Sequence, residues 1–217
     1  IHNTAGLIQN ELGQVNSAVA EFATAARLDP KFFEAQMNYA AVNLSFRGFE
    51  QAATAYRKAL VMRPNDYDAH LGLALALRGP IQATDANYDQ AVALVQAELD
   101  TCKKLDAARP DAFYNEGILV QEFKAKSGAG KDATKAALLQ AKGIFQSFVE
   151  KAQGKGEYDG AVKRSKERVQ DIDDTIQFLD MPGAEPAPAA PAPAASGAAP
   201  AASGAAAPPA APPAPKK

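Results

Sequence analysis

The chain has 217 residues, with 23 Lys and Arg against 25 Asp and Glu, a formal charge of −2, one Cys and no Trp. Such a balance leaves no electrostatic footprint for nucleic acid or an anionic membrane surface. A single Cys cannot make an internal disulfide, and no apolar run approaches the roughly eighteen residues of a membrane span.

The N-terminal half reads as helices separated by prolines. In "ATAARLDPKFFEAQMNYA" (23–40), Ala25, Ala26 and Leu28 close one apolar-periodic run, Asp29 and Pro30 interrupt it, and Phe33, Met37 and Ala40 open the next. Proline is tolerated between helices but not inside one. "ALVMRPNDYDAHLGLA" (59–74) repeats the arrangement, with Pro64 thirty-four residues after Pro30. The same step links Gly6 to Ala40 to Ala74, Ala18 to Ala52, Phe22 to Tyr56 and Ala25 to Ala59. A period of this size signals stacked helix–turn–helix units.

These residues resemble the tetratricopeptide repeat: a small residue early in the first helix, an Ala and an aromatic in the second, and a closing "DP" or "RP". "ARPDAFYNEG" (108–117) matches the start of a further repeat. The resemblance implies an all-α, right-handed superhelix of helix pairs closed by a C-terminal capping helix.

Later units depart from the period. After "YDAHLGLALAL", the segment "RGPIQATDANY" (78–88) lengthens the inter-helix loop for no packing reason the sequence reveals. The helix that follows, from about Tyr88 to Ala108, reads as roughly two turns too long. The fourth unit opens with "DAFYNEGILVQEFKAK", breaks at "SGAGKD" and resumes as "ATKAALLQAKGIFQSFVEKA". A last helix, about Tyr158 to Leu179, carries a stripe of Val162, Val169, Ile172, Ile176 and Leu179 opposite "KRSKER" and "DIDD". One apolar stripe and one wet face is the pattern of a solenoid cap. From Pro182 the chain contains only Pro, Ala, Gly, Ser, one Glu and two Lys. With nothing to anchor a core, residues 181–217 read as a disordered tail beyond a repeat domain at 1–180.

Motifs for chemistry fall away on inspection. "SGAGKDATK" (127–135) imitates a phosphate-binding loop, but Ala125 stands where its first Gly belongs and Asp132 where Ser or Thr should follow the Lys. Asp132 reads instead as an N-cap. His2 and His70 occupy equivalent repeat positions and read as packing residues. Cys102 reads as buried and inert, and Lys103 as a surface residue whose loss does little. Nothing has metal-ligand spacing, no nucleophile has a base partner, and nothing requires a cofactor. The expectation is a chain that is not an enzyme.

In the repeat family the first helix of each unit lines an inner groove. That resemblance places Met37, Asn38, Ala41 and Leu44 on the groove in the second unit, Leu71, Gly72 and Leu75 in the third, and Tyr114, Asn115 and Ile118 in the fourth. A mostly apolar strip suits an amphipathic helix or extended peptide of a partner protein. Members that clamp a chaperone's C-terminal carboxylate use Lys, Arg and Asn at set groove positions. Asn38 fits, but Asn3, Asp68 and Gly72 stand where the basic residues belong, which argues against that subtype. The Ala/Pro/Gly-rich segment and the repeats together resemble the lipoproteins of bacterial envelope machines, such as the gliding-motility apparatus of myxobacteria. This implies a periplasmic or outer-membrane-tethered scaffold in a multiprotein complex, with a cytoplasmic location also open. The alternative is an accessory factor in outer-membrane biogenesis or peptidoglycan-associated assembly. The chain opens on Ile1, part-way into a repeat, so it reads as a fragment or processed chain whose signal peptide or lipid anchor would lie upstream.

Overall fold

The computed structural model describes residues 1–126 and 130–183. Nine α-helices follow one another among them: α1 (His2–Glu11), α2 (Val15–Leu28), α3 (Phe33–Ser45), α4 (Phe49–Met62), α5 (Tyr67–Arg78), α6 (Tyr88–Leu105), α7 (Asp111–Leu119), α8 (Lys131–Ala152) and α9 (Asp159–Leu179). Each packs against its neighbours in sequence, and the first helices of successive pairs also touch, α1 with α3, α3 with α5 and α5 with α7. The result is a stack of tetratricopeptide-type helix pairs. The tail at 184–217 and the "SGA" stretch at 127–129 lie outside the described residues.

The periodic positions are the ones that pack. Gly6, Ala40, Ala74, Ala18, Ala52, Phe22, Tyr56, Ala25 and Ala59 are all buried. Gly6 makes room for a ring: a Cβ there would lie 2.6 Å from Phe22. Turns repeat as well. Gly13 and Arg47, thirty-four apart, both adopt positive φ, 70° and 64°, and each is followed by a bond spanning five residues, Gln14 N–H to Gln9 O and Gly48 N–H to Asn43 O. This left-handed helix stop favours glycine. Arg47 adopts it with its guanidinium over Phe49, 5.7 Å from the ring centre.

The third unit has a longer connection in place of that stop, and packing explains it. Ile81, only 3% exposed, joins Leu71, Val92, Val95 and Leu99 in the core between α5 and α6. The loop is closed by the Gln82 N–H donating to Asp85 Oδ2 at 2.8 Å. The long helix ends at Leu105, at 18 residues against 14 for α4, so it is one turn longer and not two. Its partner lengthens too, because α7 continues as a π turn at Val120–Lys124. There the Ala125 N–H reaches Val120 O, and the Tyr88 hydroxyl of α6 donates to Phe123 O at 2.8 Å.

Helix α8 begins at Lys131 after Gly130, so Asp132 sits in its first turn without a capping bond and is not the N-cap. An acid there still interacts favourably with the helix dipole. Helix α9 closes the stack: Ile172 and Leu179 are buried, with Val162, Val169 and Ile176 half-buried beside them. Its outer face is charged, as a solenoid end requires.

Candidate partner-binding groove

The inner face is built by α1, α3, α5 and α7, extended by the π turn and by the N-terminal half of α9. The last of these docks where a fifth inner helix would lie: Arg164 Nε donates to the Tyr114 hydroxyl at 3.2 Å, and Arg168 Nη1 donates to Gln121 Oε1 at 2.6 Å and Glu122 Oε1 at 2.8 Å.

This docking divides the expected groove residues. Tyr114 is 5% exposed, packed on Phe148 and Phe145 with ring centres 5.1 and 6.3 Å away. It is a core residue of the terminal unit and offers nothing to a partner. Asn115 is also buried, its Nδ2 donating to Asp111 O at 2.9 Å. Leu71 belongs to the α5–α6 core, and Gly72 is covered by the Tyr56 ring. Met37, Asn38, Leu44, Leu75 and Ile118 are half-buried, and Ala41 is exposed. Asn38 Nδ2 donates to Asn3 Oδ1 at 2.9 Å, tying α3 to α1. Leu75 is in none of the buried core clusters, whereas Met37 and Leu44 pack against the α3–α5 core and Ile118 against the terminal one. The strip that keeps some exposure is therefore Met37, Ala41, Leu44, Leu75 and Ile118.

At its C-terminal end the strip meets polar residues that the sequence reading passed over. Arg78, one repeat after Leu44, donates through Nη1 to Asn115 O at 3.3 Å and Asn115 Oδ1 at 3.2 Å. Burial pulls its pKa down to about 10, with Arg168 acting in the same direction and Tyr114 and Glu122 opposing. Glu122 accepts from both Arg168 and Lys126. Burial tends to raise its pKa, but these two cations outweigh it and hold the carboxyl below the ordinary range. The period did mark Arg78 as an inner position. Arg164 and Arg168 carried no such signal, because "KRSKER" reads equally as a solvated face.

The remaining reactive side chains are structural. Burial pushes the Cys102 thiol up to about 12, so it is not a thiolate at neutral pH. The histidines are bridges and not packing residues: His2 Nδ1 meets Glu21 Oε2 at 2.7 Å, while His70 meets Glu98 Oε2 at 2.6 Å and Pro64 O at 2.9 Å. Lys103 also proves structural, reaching both oxygens of Glu116 at 2.8 Å and Asp100 at 2.9 Å. Among the described residues no three His, Cys, Asp or Glu side chains converge on a metal position, and no helix is long and apolar enough to cross a membrane.

No family model matches the chain, and no curated protein matches it. Solved structures do. A crystal structure of MamA protein superimposes with a TM-score of 0.51 at 16% identity, covering 84% of this chain and 96% of that one. YrrB, described as a TPR protein with an unusual peptide-binding site, gives 0.49 at 14% identity over 82% and 84%. The O-GlcNAc transferase of Thermobaculum terrenum gives 0.47 at 13% identity, and the chain spans only 25% of that enzyme's length. At such identities the likeness speaks to the fold alone, and that fold is a tetratricopeptide-type helical stack.

Proposed function

We propose that this chain is a protein-interaction scaffold whose inner groove holds a segment of a partner protein. The observation that carries the reading is the apolar strip of Met37, Ala41, Leu44, Leu75 and Ile118, exposed at Ala41 and half-buried elsewhere, set across three successive inner helices. Burying a partner's apolar side chains there stabilises the complex by about 25 cal/mol per Å² removed from water. The setting we propose is a bacterial envelope assembly of the gliding-motility kind, periplasmic or tethered to the outer membrane. An accessory role in outer-membrane biogenesis or peptidoglycan-associated assembly is the alternative. Both rest on the composition of the Pro/Ala-rich segment and on the repeats, and fractionation of cells expressing the full gene discriminates them from a cytoplasmic location.

The groove is tested with Leu75→Glu. A side chain outside the core clusters can be changed with the helices intact, which circular dichroism verifies. Partner affinity should fall by about 1–3 kcal/mol. Full retention of every partner by the folded variant moves the site elsewhere.

A further inference from the structure

Resting on the groove reading above, we infer that the segment bound there carries a carboxylate side chain beside its apolar anchors, and that Arg78 is the residue that takes it. The argument starts from pairing. Several partly buried cations of the second half have carboxylates: Lys103 has Glu116 and Asp100, Arg109 has Asp68 and Asp111, Arg168 and Lys126 share Glu122, and Lys142 has Asp173, whereas Lys124 has the neutral Gln96 and Lys151 the Phe113 ring. Arg78 has none within ion-pair distance among the described residues. Its protein partner is the neutral Asn115, which engages Nη1 alone.

The geometry of that contact matters. A guanidinium has a second edge, formed by Nε and Nη2, whose two parallel N–H groups match the two oxygens of a carboxylate. In Arg78 this edge has no acceptor among the described residues, and neither nitrogen is sealed away from solvent without a partner. Asn115 thus holds the group by one nitrogen and leaves its bidentate edge free. Leu75 lies one turn earlier on α5, so an apolar side chain and a carboxylate near it in sequence reach the two positions together. The charged side chains that bear on Arg78 are Arg168 and Glu122, and these two pair with each other. With those two paired, the free edge of Arg78 carries the unbalanced charge there, which favours an acid over a lysine or arginine. Desolvation also makes an unpaired cation costly here, and an incoming carboxylate relieves that cost.

The test selects peptides of about twelve residues from a random displayed library against the full chain. Enriched sequences are then made with Glu or Gln at the acidic position, and their affinities are measured by fluorescence anisotropy. We expect enrichment of acidic residues next to apolar ones, and a loss of about tenfold or more on Glu-to-Gln replacement with the wild-type chain. In Arg78→Gln the two peptides should bind alike, and Arg78→Lys should recover only part of the discrimination. Equal binding of the Glu and Gln peptides by wild type overturns the proposal without needing any protein variant to fold. If those peptides still lose affinity with Leu75→Glu, the groove reading survives alone. A library that yields no binder, or binders indifferent to both Leu75→Glu and Arg78→Gln, overturns both.

Discussion

The first two helix pairs and the last two bury their interfaces with different side chains. Between α1 and α4 the buried positions are mostly alanine, with Phe22, Phe33 and Tyr56 as the large members. From α6 onward they are Leu99, Leu119, Phe145, Phe148, Ile172 and Leu179, among the largest fully buried side chains in the chain. Alanine contacts fix the distance between backbones tightly, so helix lengths and turns repeat with little freedom. Large side chains allow variable spacing, and there the chain has a longer loop, a longer helix and a π turn, with charge pairs linking these elements. Regularity in the sequence therefore reports how close the backbones come.

The strongest way to break this contrast is to remove volume from each half. Phe145 is fully buried, stacks its edge against Tyr114 and lies close over Gly117, where a Cβ would be 2.6 Å away. Phe145→Ala should cost about 3–5 kcal/mol. Ala52→Gly, at a fully buried site in the regular half, should cost about 1–2 kcal/mol from one methyl and the added backbone freedom. Urea unfolding of both variants provides the comparison. Equal losses would mean that the two cores do not differ as argued.

Adding volume sharpens it from the other side. A methyl at Gly72 meets the Tyr56 ring, whereas a methyl at Gly143 on α8 meets nothing within 4 Å. Gly72→Ala should destabilise by about 1–3 kcal/mol. Gly143→Ala should stabilise by about 0.5–1 kcal/mol through helix propensity. Thermal melts of the two single variants settle the signs, and a stable Gly72→Ala would show that the α4–α5 contact is looser than its small residues imply.

These particulars show what sequence could deliver. The alternation of helices, the prolines, the repeated small residues and the cap stripe were legible because each is a local pattern repeated at fixed spacing. The groove was legible only in part. Ala41 is exposed, and Leu75 and Ile118 are half-buried. Tyr114 and Asn115 occupy equivalent positions, but α9 and Arg78 cover them, and no periodicity announces how a terminal helix will dock. The Ile81 anchor and the Lys103 pairs were hidden for the same reason, since each depends on an element distant in sequence.

Lys103 gives the next smaller effect. Its side chain is 25% exposed, and its partner Glu116 only 8%. Lys103→Ala leaves that carboxylate with Gln96 as its remaining donor, at 2.7 Å. The loss should be about 1–2 kcal/mol, the cost of a buried charged group short of a partner. Lys103→Ala combined with Glu116→Gln should recover part of it. If the single variant unfolds at the wild-type urea concentration, the long α6 edge is held by apolar contacts alone.

The smallest effect is a pH dependence carried by Glu122. Its folded-state pKa lies below the ordinary value of 4.5, because Lys126 and Arg168 outweigh the opposing effect of burial. For a carboxyl with a depressed folded pKa, the stabilisation is fully present above the unfolded value and is lost as pH falls through the folded one. The unfolded chain takes up its proton near pH 4.5, while the folded chain resists until lower pH. The stability gap between wild type and Glu122→Gln should therefore be constant from neutral pH down to about 5. It should shrink steadily below about pH 4.5. Asp100 is also held below its ordinary range, but it titrates in both proteins and cancels in the difference. Added salt should narrow the gap at neutral pH, since Lys126 is 38% exposed and open to screening. Urea melts of both proteins across the acid range measure it. A gap that persists unchanged below pH 3, or one that widens, would mean that Lys126 and Arg168 do not hold the carboxylate in the folded state. The π turn would then be fixed by the Tyr88 hydroxyl and its apolar contacts without the charge cluster.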